Sequence, residues 1–300
     1  MYIIAEIGSN WESLDDCFQS IQEAHNSGAN AAKFQMFTHA ELYGISGQLK
    51  HELPHDWVPL LRRQCDRSGI EFMCTAFSPE GFEYINPYVD IHKIASSCIT
   101  TTPILKKVAS FNKKTILSTG ASSIGEIRLA MNHFPGQLVT PLYCVANYPA
   151  KVINLENIRL MEKELGVKVG YSDHSTDVLN IPRMAVQMGA VVIEKHLDCA
   201  RKGTPDSPHS ISPDEFRLMV DSINNIRTIP RIGWIPEEQG MVLMHRNRLM
   251  AIKDIKSGDM FDETNYGCFR SKEKDMNGMS GFCYEAVNGK VSRVDIKSGM

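Results

Sequence analysis

Eight short apolar runs, separated by stretches with helical periodicity, constrain the fold of this chain more than any other feature. Strands that alternate with helices form parallel βαβ units, and apolar runs without strict alternation indicate strands covered on both faces. Eight such units in about 200 residues favour a closed (β/α)8 barrel, because an open sheet more often has five or six strands. The runs are YIIAEIG, NAAKFQM, IEFMCTAF, IHKIASS, KKTILSTG, LVTPLYCV, VKVGYSDH and AVVIEKHL.

Two of the intervening stretches carry clear signals for the start of a helix. We expect one helix over 13–24, with Ser13 as its N-cap and apolar residues at helical spacing behind it. A second helix is expected over 212–226, where Pro213 takes the first helical position.

The alternation of strands and helices ends near Arg227, which predicts a domain boundary. The stretch TIPRIGWIPEEQGM is rich in proline and glycine, as linkers are. We therefore expect a barrel over 1–227, a linker over 228–245 and a small domain over 246–300. In that domain two short strands should flank a Lys-Ser-Gly-Asp turn, and the phrase Asp-Ile-Lys-Ser-Gly occurs twice.

The composition favours an intracellular protein that acts on a small molecule. A chain of 300 residues with 43% hydrophobic residues and a net charge of −3 can bury a large core and offers no cationic face for nucleic acid. No apolar run approaches the roughly 20 residues of a membrane helix, and the N-terminus does not resemble a signal peptide. The eight cysteines include no C-x-x-C pair, which indicates free thiols. We expect a cytoplasmic location.

Polar residues follow the apolar part of each predicted strand. The active site of a (β/α)8 barrel lies at the carboxyl ends of its strands, so we expect these side chains to converge. They are Glu6, Lys33, Gln35, Thr75, Lys93, Ser96, Ser118, Asn147, Tyr148, Ser172, Asp173, His174, Lys195 and His196.

Two histidines end the seventh and eighth predicted strands. His174 and His196 lie 22 positions apart, one barrel unit, so both imidazoles should face the same mouth. A pair of nitrogen ligands completed by oxygen donors would suit an octahedral ion such as manganese or magnesium better than a closed zinc site. A strand-end histidine can also be a hydrogen-bonded structural residue, and spacing does not separate the two interpretations.

Two lysines end predicted apolar strands, where a charged group is costly without a partner. Lys33 and Lys93 could each form an ion pair, for instance with Glu6, or extend to solvent. Together with the hydroxyl groups of Thr75 and Ser96, however, they would suit a phosphate or a carboxylate. An anionic substrate is the preferred interpretation.

The same strand ends resemble the sialic acid synthase family, which includes N-acetylneuraminate, legionaminate and pseudaminate synthases. The similarity runs from Tyr2 almost to the end of the chain. Eight motifs in the family's order are far more specific than any one of them. They are AEIG (5–8), AAKFQ (31–35), KIAS (93–96), ILSTG (116–120), NYP (147–149), GYSDH (170–174), IEKH (193–196) and PD (205–206).

The resemblance implies condensation of phosphoenolpyruvate with an N-acylated hexosamine, and it implies roles for individual residues. Lys33, Thr75, Lys93, Ser96 and Ser172 would bind phosphoenolpyruvate. His174 and His196 would hold a divalent ion, expected to be Mn2+, with Mg2+ or Co2+ as alternatives. Glu6, Gln35, Tyr148 and Asp206 would hold the sugar, and either Glu6 or Asp206 would relay protons.

The resemblance also implies an antifreeze-like C-terminal domain of the β-clip type. In the family's domain-swapped homodimers this module offers an arginine to the partner's sugar, and Arg270 holds the matching place. The family's module extends several residues beyond the position of Met300, which leaves open whether the module is incomplete here.

Trp11 departs from the family's usual motif after AEIG, and it either packs as a loop residue or contacts the substrate. Two rival functions stay open at this point. One is a related phosphoenolpyruvate-dependent synthase of 3-deoxy-sugar-acid phosphates, which would need further basic residues for a second phosphate. The other is a non-catalytic paralogue that binds sugar, although such a protein would have little need for two lysines and two histidines together.

Overall fold

A computed structural model describes residues 1–134, 139–200, 203–226, 236, 247–270 and 279–300. The chain divides into two compact units, Met1–Thr228 and Ile229–Met300. The linker predicted for 228–245 lies outside the described residues, apart from residue 236. No helix in the described part of the chain is long and apolar enough to cross a membrane.

Eight parallel strands form the first unit. They are β1 Tyr2–Gly8, β2 Ala31–Met36, β3 Glu71–Ala76, β4 Ile91–Ile94, β5 Lys114–Ser118, β6 Val139–Cys144, β7 Gly170–Asp173 and β8 Val192–His196. Hydrogen bonds join them in the order β3-β2-β1-β8-β7-β6-β5-β4, and β3 and β4 also contact each other, which brings the two ends of the sheet together. Each predicted apolar run contains one strand, so the (β/α)8 barrel is confirmed.

Helices connect the strands. The α-helices of this unit are α1 Leu14–Asn26, α2 His39–Tyr43, α3 Val58–Ser68, α4 Pro79–Ile85, α5 Thr102–Ser110, α6 Ile124–Met131, α7 Glu156–Leu165, α8 Asn180–Gln187 and α9 Pro213–Asn224, with 3-10 turns at His55–Trp57, Asn86–Tyr88, Ser96–Cys98 and Ser207–His209. The Ser13 and Ser212 side chains cap α1 and α9 in capping boxes, each of which stabilises a helix by about 1 kcal/mol. Both predicted helices are confirmed.

Side chains along each strand alternate between two environments. One set packs against the helices in the main hydrophobic core, which includes Ile7 and Phe34. The other set faces the barrel interior, where its amino-terminal positions form a second apolar cluster. That cluster consists of Ile4, Ala31, Met73, Ile116, Leu142 and Val192. Because side chains repeat every second residue, the inward positions next along the strands are those that carry the polar groups of the site.

A buried ion pair lies on the other face of β7 and β8. Lys195 and Asp173 are pairing neighbours on these strands, both fully buried, with Nζ 2.7 Å from Asp173 Oδ2. The Lys195 ammonium also donates to the carbonyl oxygens of Ser175 and Asp177, at 2.6 and 3.0 Å. All three of its donors are therefore satisfied within the protein, which assigns Lys195 a structural role.

Replacing Lys195 with methionine is expected to destabilise the protein by about 3–5 kcal/mol, because it leaves the Asp173 carboxylate buried without its cation. Urea denaturation followed by circular dichroism would measure the loss. An unchanged free energy of unfolding would contradict the structural role of this pair.

The second unit contains a small antiparallel sheet. Strands β9 Asn247–Ala251 and β10 Tyr266–Arg270 pair with Ala251 opposite Tyr266, and a 3-10 turn at Gly281–Cys283 precedes the short helix α10 Tyr284–Val287. Ala251, Ile255 and Tyr266 form its buried core. The antifreeze-like assignment stays a prediction.

The two Asp-Ile-Lys-Ser-Gly segments of this unit pair with each other. Ile255 and Ile296 form an antiparallel bridge. On either side of it, each aspartate accepts a hydrogen bond from the serine N–H of the other segment, at 2.9 and 3.0 Å. The two copies of the sequence repeat therefore contact each other reciprocally in the structure.

Candidate active site

A cavity of about 60 Å3 lies at the carboxyl ends of the barrel strands. Most of the predicted site residues line it together. The full lining is Glu6, Lys33, Gln35, Thr75, Lys93, Ala95, Ser96, Ser118, Tyr148, Ser172, His174, Glu194 and His196. Asp206 lies next to this group, with Oδ2 3.8 Å from His196 Nδ1. Arg270 belongs to the second unit, at the end of β10, and its role toward a partner's sugar stays a prediction.

Two buried lysines and two buried glutamates form the floor of the cavity. Lys33 forms an ion pair with Glu6, and its Nζ also lies 3.6 Å from Glu194 Oε2. Lys93 Nζ lies 3.6 Å from Glu194 Oε1 and donates to Ser118 Oγ at 2.7 Å. The ion pair with Glu6 that the sequence allowed for Lys33 is therefore present. It does not exclude anion binding, because both ammonium groups line the cavity.

The pKa values of the two carboxyl groups are shifted in opposite directions. Burial, opposed mainly by the Lys33 ammonium, raises the pKa of Glu6. Burial also acts to raise the pKa of Glu194, but the ammonium groups of Lys33 and Lys93 outweigh it and lower that pKa to about 2. Neighbouring carboxyls whose pKa values are driven apart are typical of a proton-carrying group beside a permanently ionised one.

Hydroxyl groups complete the lysine end of the cavity. The Thr75 hydroxyl is buried and has no hydrogen-bond partner among the described residues. Such a group costs about 1–3 kcal/mol unless a ligand or water satisfies it. Ser96 Oγ accepts a hydrogen bond from the Gly120 N–H at 2.9 Å, which fixes its position. The lysine end of the cavity therefore contains both ammonium and hydroxyl groups.

His174 presents a lone pair to the cavity. Its Nδ1 lies 2.7 Å from the Val145 carbonyl oxygen, which can only accept, so Nδ1 carries the proton. Ser172 Oγ lies 3.2 Å from Nε2, but its single proton is donated to Glu194 Oε1 at 2.8 Å. Burial lowers the pKa of His174, so the ring is neutral and Nε2 is free to bind an electrophile.

His196 has neighbours beyond the predicted pair. Its ring centroid lies 5.9 Å from that of His174 but only 4.5 Å from that of His209. Burial lowers the pKa of His196 to about 3 and also lowers that of His209. All three imidazoles are therefore neutral near pH 7, the form in which histidine binds metal ions.

Two sugar-site candidates have defined positions. The Gln35 amide donates to Glu6 Oε1 at 2.5 Å. The Tyr148 ring stacks on His174 with centroids 4.2 Å apart and is 53% exposed, so it forms the open rim of the cavity.

Trp11 packs as a loop residue. It is buried, donates its indole N–H to the Gly8 carbonyl oxygen at 2.9 Å and contacts the Trp57 ring. Among the described residues it takes no part in lining the cavity, so the alternative of a direct substrate contact is not supported by this structure.

Sequence analysis did not predict three features of the site, which are Glu194, His209 and the contact between Ser118 and Lys93. Glu194 had a usable signal, because it stands two positions before His196 on one strand and so shares its face. His209 stands in a 3-10 turn after β8 and carries no periodic signal that would place it near the cavity.

The comparisons with known proteins agree on one family. The profile of the NeuB family matches residues 20–231. The chain is 34% identical to the N,N'-diacetyllegionaminic acid synthase of Campylobacter jejuni, over 98% of this chain and 96% of that protein. It is 31% identical to the pseudaminic acid synthase of the same species, over 100% of this chain and 94% of that protein. The crystal structure of the N-acetylneuraminic acid synthetase of Leptospira borgpetersenii, in complex with citrate, superposes with a TM-score of 0.76 at 30% identity, covering 80% of this chain and 90% of that one.

Proposed function

This chain belongs to the NeuB family, and from that premise we propose that it condenses phosphoenolpyruvate with an N-acylated hexosamine and water. The products would be a nonulosonic, sialic-type acid and inorganic phosphate. The observation that carries the proposal is the single cavity in which two lysines, two glutamates and two neutral histidines meet. The names of the relatives, synthases of legionaminic and pseudaminic acid, support the same reaction class.

Phosphoenolpyruvate would bind at the lysine end. Lys33 and Lys93 would face its phosphate and carboxylate, and the unsatisfied Thr75 hydroxyl, Ser96 and Ser172 would supply neutral hydrogen bonds. Buried ammonium groups act strongly on an anion because the surrounding dielectric is low. Glu194, which lies between the two lysines, would hold both in place and keep them charged.

A divalent ion would bind at the histidine end, and the residues present fit one. His174 offers a free Nε2 lone pair, and His196 Nδ1 is buried without a hydrogen-bond partner among the described residues. Two imidazoles with oxygen donors favour Mn2+, with Mg2+ or Co2+ as alternatives. When bound, the ion would act as a Lewis acid on the sugar aldehyde.

The reaction joins C3 of phosphoenolpyruvate to the aldehyde carbon, adds water at C2 and releases phosphate by cleavage of the C2–O bond. The proton of the C2 hydroxyl leaves with the phosphate as that oxygen becomes the keto oxygen. One proton must reach the former aldehyde oxygen, and one must leave the attacking water. Glu6 is the carboxyl group best suited to carry both, because its pKa is raised and it lies in the cavity beside Gln35. Glu194, held ionised by two lysines, is not suited to donate a proton.

The sugar is proposed only as a class, N-acetylmannosamine or a 2,4-diacetamido-trideoxyhexose. We further propose that Arg270 of one subunit serves the sugar site of its partner in a swapped homodimer, through a C-terminal domain of the antifreeze-like type. Both extensions rest on the family resemblance.

The test is phosphate release from phosphoenolpyruvate with each candidate sugar and Mn2+. Release should require the sugar and should stop when EDTA is added. Release that is independent of any acylated hexosamine, or no release with the whole panel of such sugars, would contradict the proposed reaction. Release with a phosphorylated pentose or tetrose would favour the rival class of synthases.

A further inference from the structure

We propose that His209 and Asp206 join the pair of His174 and His196 as protein ligands of the divalent cation, adding one imidazole and one carboxylate at the rim of the cavity. The inference rests on the metal dependence in the proposed function and adds ligands that the histidine pair of the family motifs does not supply. Asp206, which the family resemblance assigns to the sugar, would bind the metal ion as well.

Two unsatisfied nitrogens carry the inference. His196 Nδ1 and His209 Nε2 are both buried, and neither has a hydrogen-bond partner among the described residues. They face the same carboxylate, with Asp206 Oδ2 3.8 Å from His196 Nδ1 and Asp206 Oδ1 3.7 Å from His209 Nε2. These separations exceed hydrogen-bond length, yet the two nitrogens and the two carboxylate oxygens face one another. A cation between them would satisfy both nitrogens.

The distances suit a shared ion after a small closure. One ligand atom from each of the three residues lies within 4.8 Å of the other two. Two nitrogens on one metal ion are at most about 4.2 Å apart, twice a metal–nitrogen bond. Side-chain rotations that move these atoms by a few tenths of an ångström would bring all three ligands to bonding distance.

The carboxylate is held in place by the backbone of the loop after β1. The Ser9 N–H donates to Asp206 Oδ2 at 2.9 Å. Gly8, with φ +52°, lies so close that a Cβ at this position would collide with the same oxygen. The motif glycine therefore makes room for Asp206.

Asn10 fixes the loop that carries Asp206 and His209. Its buried amide donates to the Leu197 carbonyl oxygen at 3.0 Å and to Ser210 Oγ at 2.8 Å, and its oxygen accepts from Thr204 Oγ1 at 2.6 Å. The 3-10 turn Ser207–His209 then places the His209 ring against His196. Supported ligands of this kind are typical of metal sites.

Two imidazoles and one carboxylate are typical of sites for divalent transition metals that keep positions open for substrate. His196 belongs both to this set and to the pair with His174, so the additional ligands would extend one site rather than create another. An ion held here would lie beside Tyr148, whose ring centroid is 4.9 Å from that of His209.

The experiment compares Mn2+ binding by the full chain and by His209→Ala. Titration calorimetry and the EPR signal of free Mn2+ give the Kd, and pulsed EPR of the complex reports the bound imidazole nitrogens. We expect one Mn2+ per chain in the wild type, and a Kd raised about tenfold or more with one imidazole coupling lost in the variant. His133→Ala, at a half-buried histidine in the turn after α6, should bind as the wild type does.

Asp206→Asn provides a second variant, which removes the charge but keeps the shape of the side chain, and its Kd should rise as well. Unchanged Kd values with unchanged nitrogen couplings in the folded variants would overturn the inference. If the wild type forms product and neither substitution changes Mn2+ binding, the inference fails and the proposed function stands. If Mn2+ binds tightly and its binding depends on His209, but no product forms, the inference stands and the proposed function fails. A wild type that binds no divalent metal would overturn the inference outright.

Discussion

Replacing Lys93 with methionine is expected to lower kcat/KM for phosphoenolpyruvate about 10²- to 10³-fold, the effect of removing one preorganised charge from an active site. Lys93 is buried, and burial lowers its pKa against the opposing effect of Glu194. An ammonium group kept in such a place is costly to the fold, and the anion that it is proposed to bind would explain its presence. Because Glu194 keeps Lys33 as a neighbouring cation, the substitution should leave the free energy of unfolding unchanged or raise it.

Lys195→Met is the matched control, because it removes a similarly buried lysine whose ammonium group lies outside the cavity. Steady-state kinetics and urea denaturation of both variants should separate the roles. Lys93→Met should lose activity but not stability, and Lys195→Met should lose stability, with its folded fraction still active. A Lys93→Met variant with wild-type kcat/KM would contradict the assignment of Lys93 to phosphoenolpyruvate binding.

Substituting His196 by alanine is expected to abolish metal-dependent turnover, with a loss of about a thousandfold or more, because Lewis-acid stabilisation is worth several kcal/mol. His196 is the one residue common to both sets of proposed ligands. Its Nδ1 makes no hydrogen bond within the described residues, so the substitution breaks no such contact there and the fold should persist.

Turnover should be measured at increasing Mn2+ concentration, with circular dichroism as the check on folding. His25→Ala, an exposed histidine in the last turn of α1, serves as the control. Full activity of folded His196→Ala in the presence of EDTA would show that the reaction needs no ion at this position.

The barrel could be predicted from the sequence because its periodicity is local. Each apolar run is long enough for one strand, and the caps at Ser13 and Ser212 mark helix starts by residue type alone. The carboxyl ends of parallel strands meet at one edge, so the convergence of Lys33, Lys93 and His174 also followed from the order of the chain.

Other features depend on contacts that sequence order does not encode. Lys195 and Glu194 are neighbours in the chain, and strand alternation places them on opposite faces. The partners of each side chain, Asp173 for one and the two cavity lysines for the other, are known only from the folded structure. His209 reaches His196 through a turn held by Asn10, whose partners are far away in sequence. Similarly, the reciprocal pairing of the two Asp-Ile-Lys-Ser-Gly segments is visible only after folding.

The most direct measurement of the central claim follows the carbon that forms the new bond. Phosphoenolpyruvate labelled with 13C at C3 would be incubated with the enzyme, Mn2+ and each acylated hexosamine and monitored by NMR. We predict that the vinyl CH2 signal is replaced by that of a saturated CH2 bonded to the former aldehyde carbon, in a one-to-one ratio with inorganic phosphate. Conversion of the label to the methyl group of pyruvate, or phosphate release without a new carbon–carbon bond, would contradict the assignment.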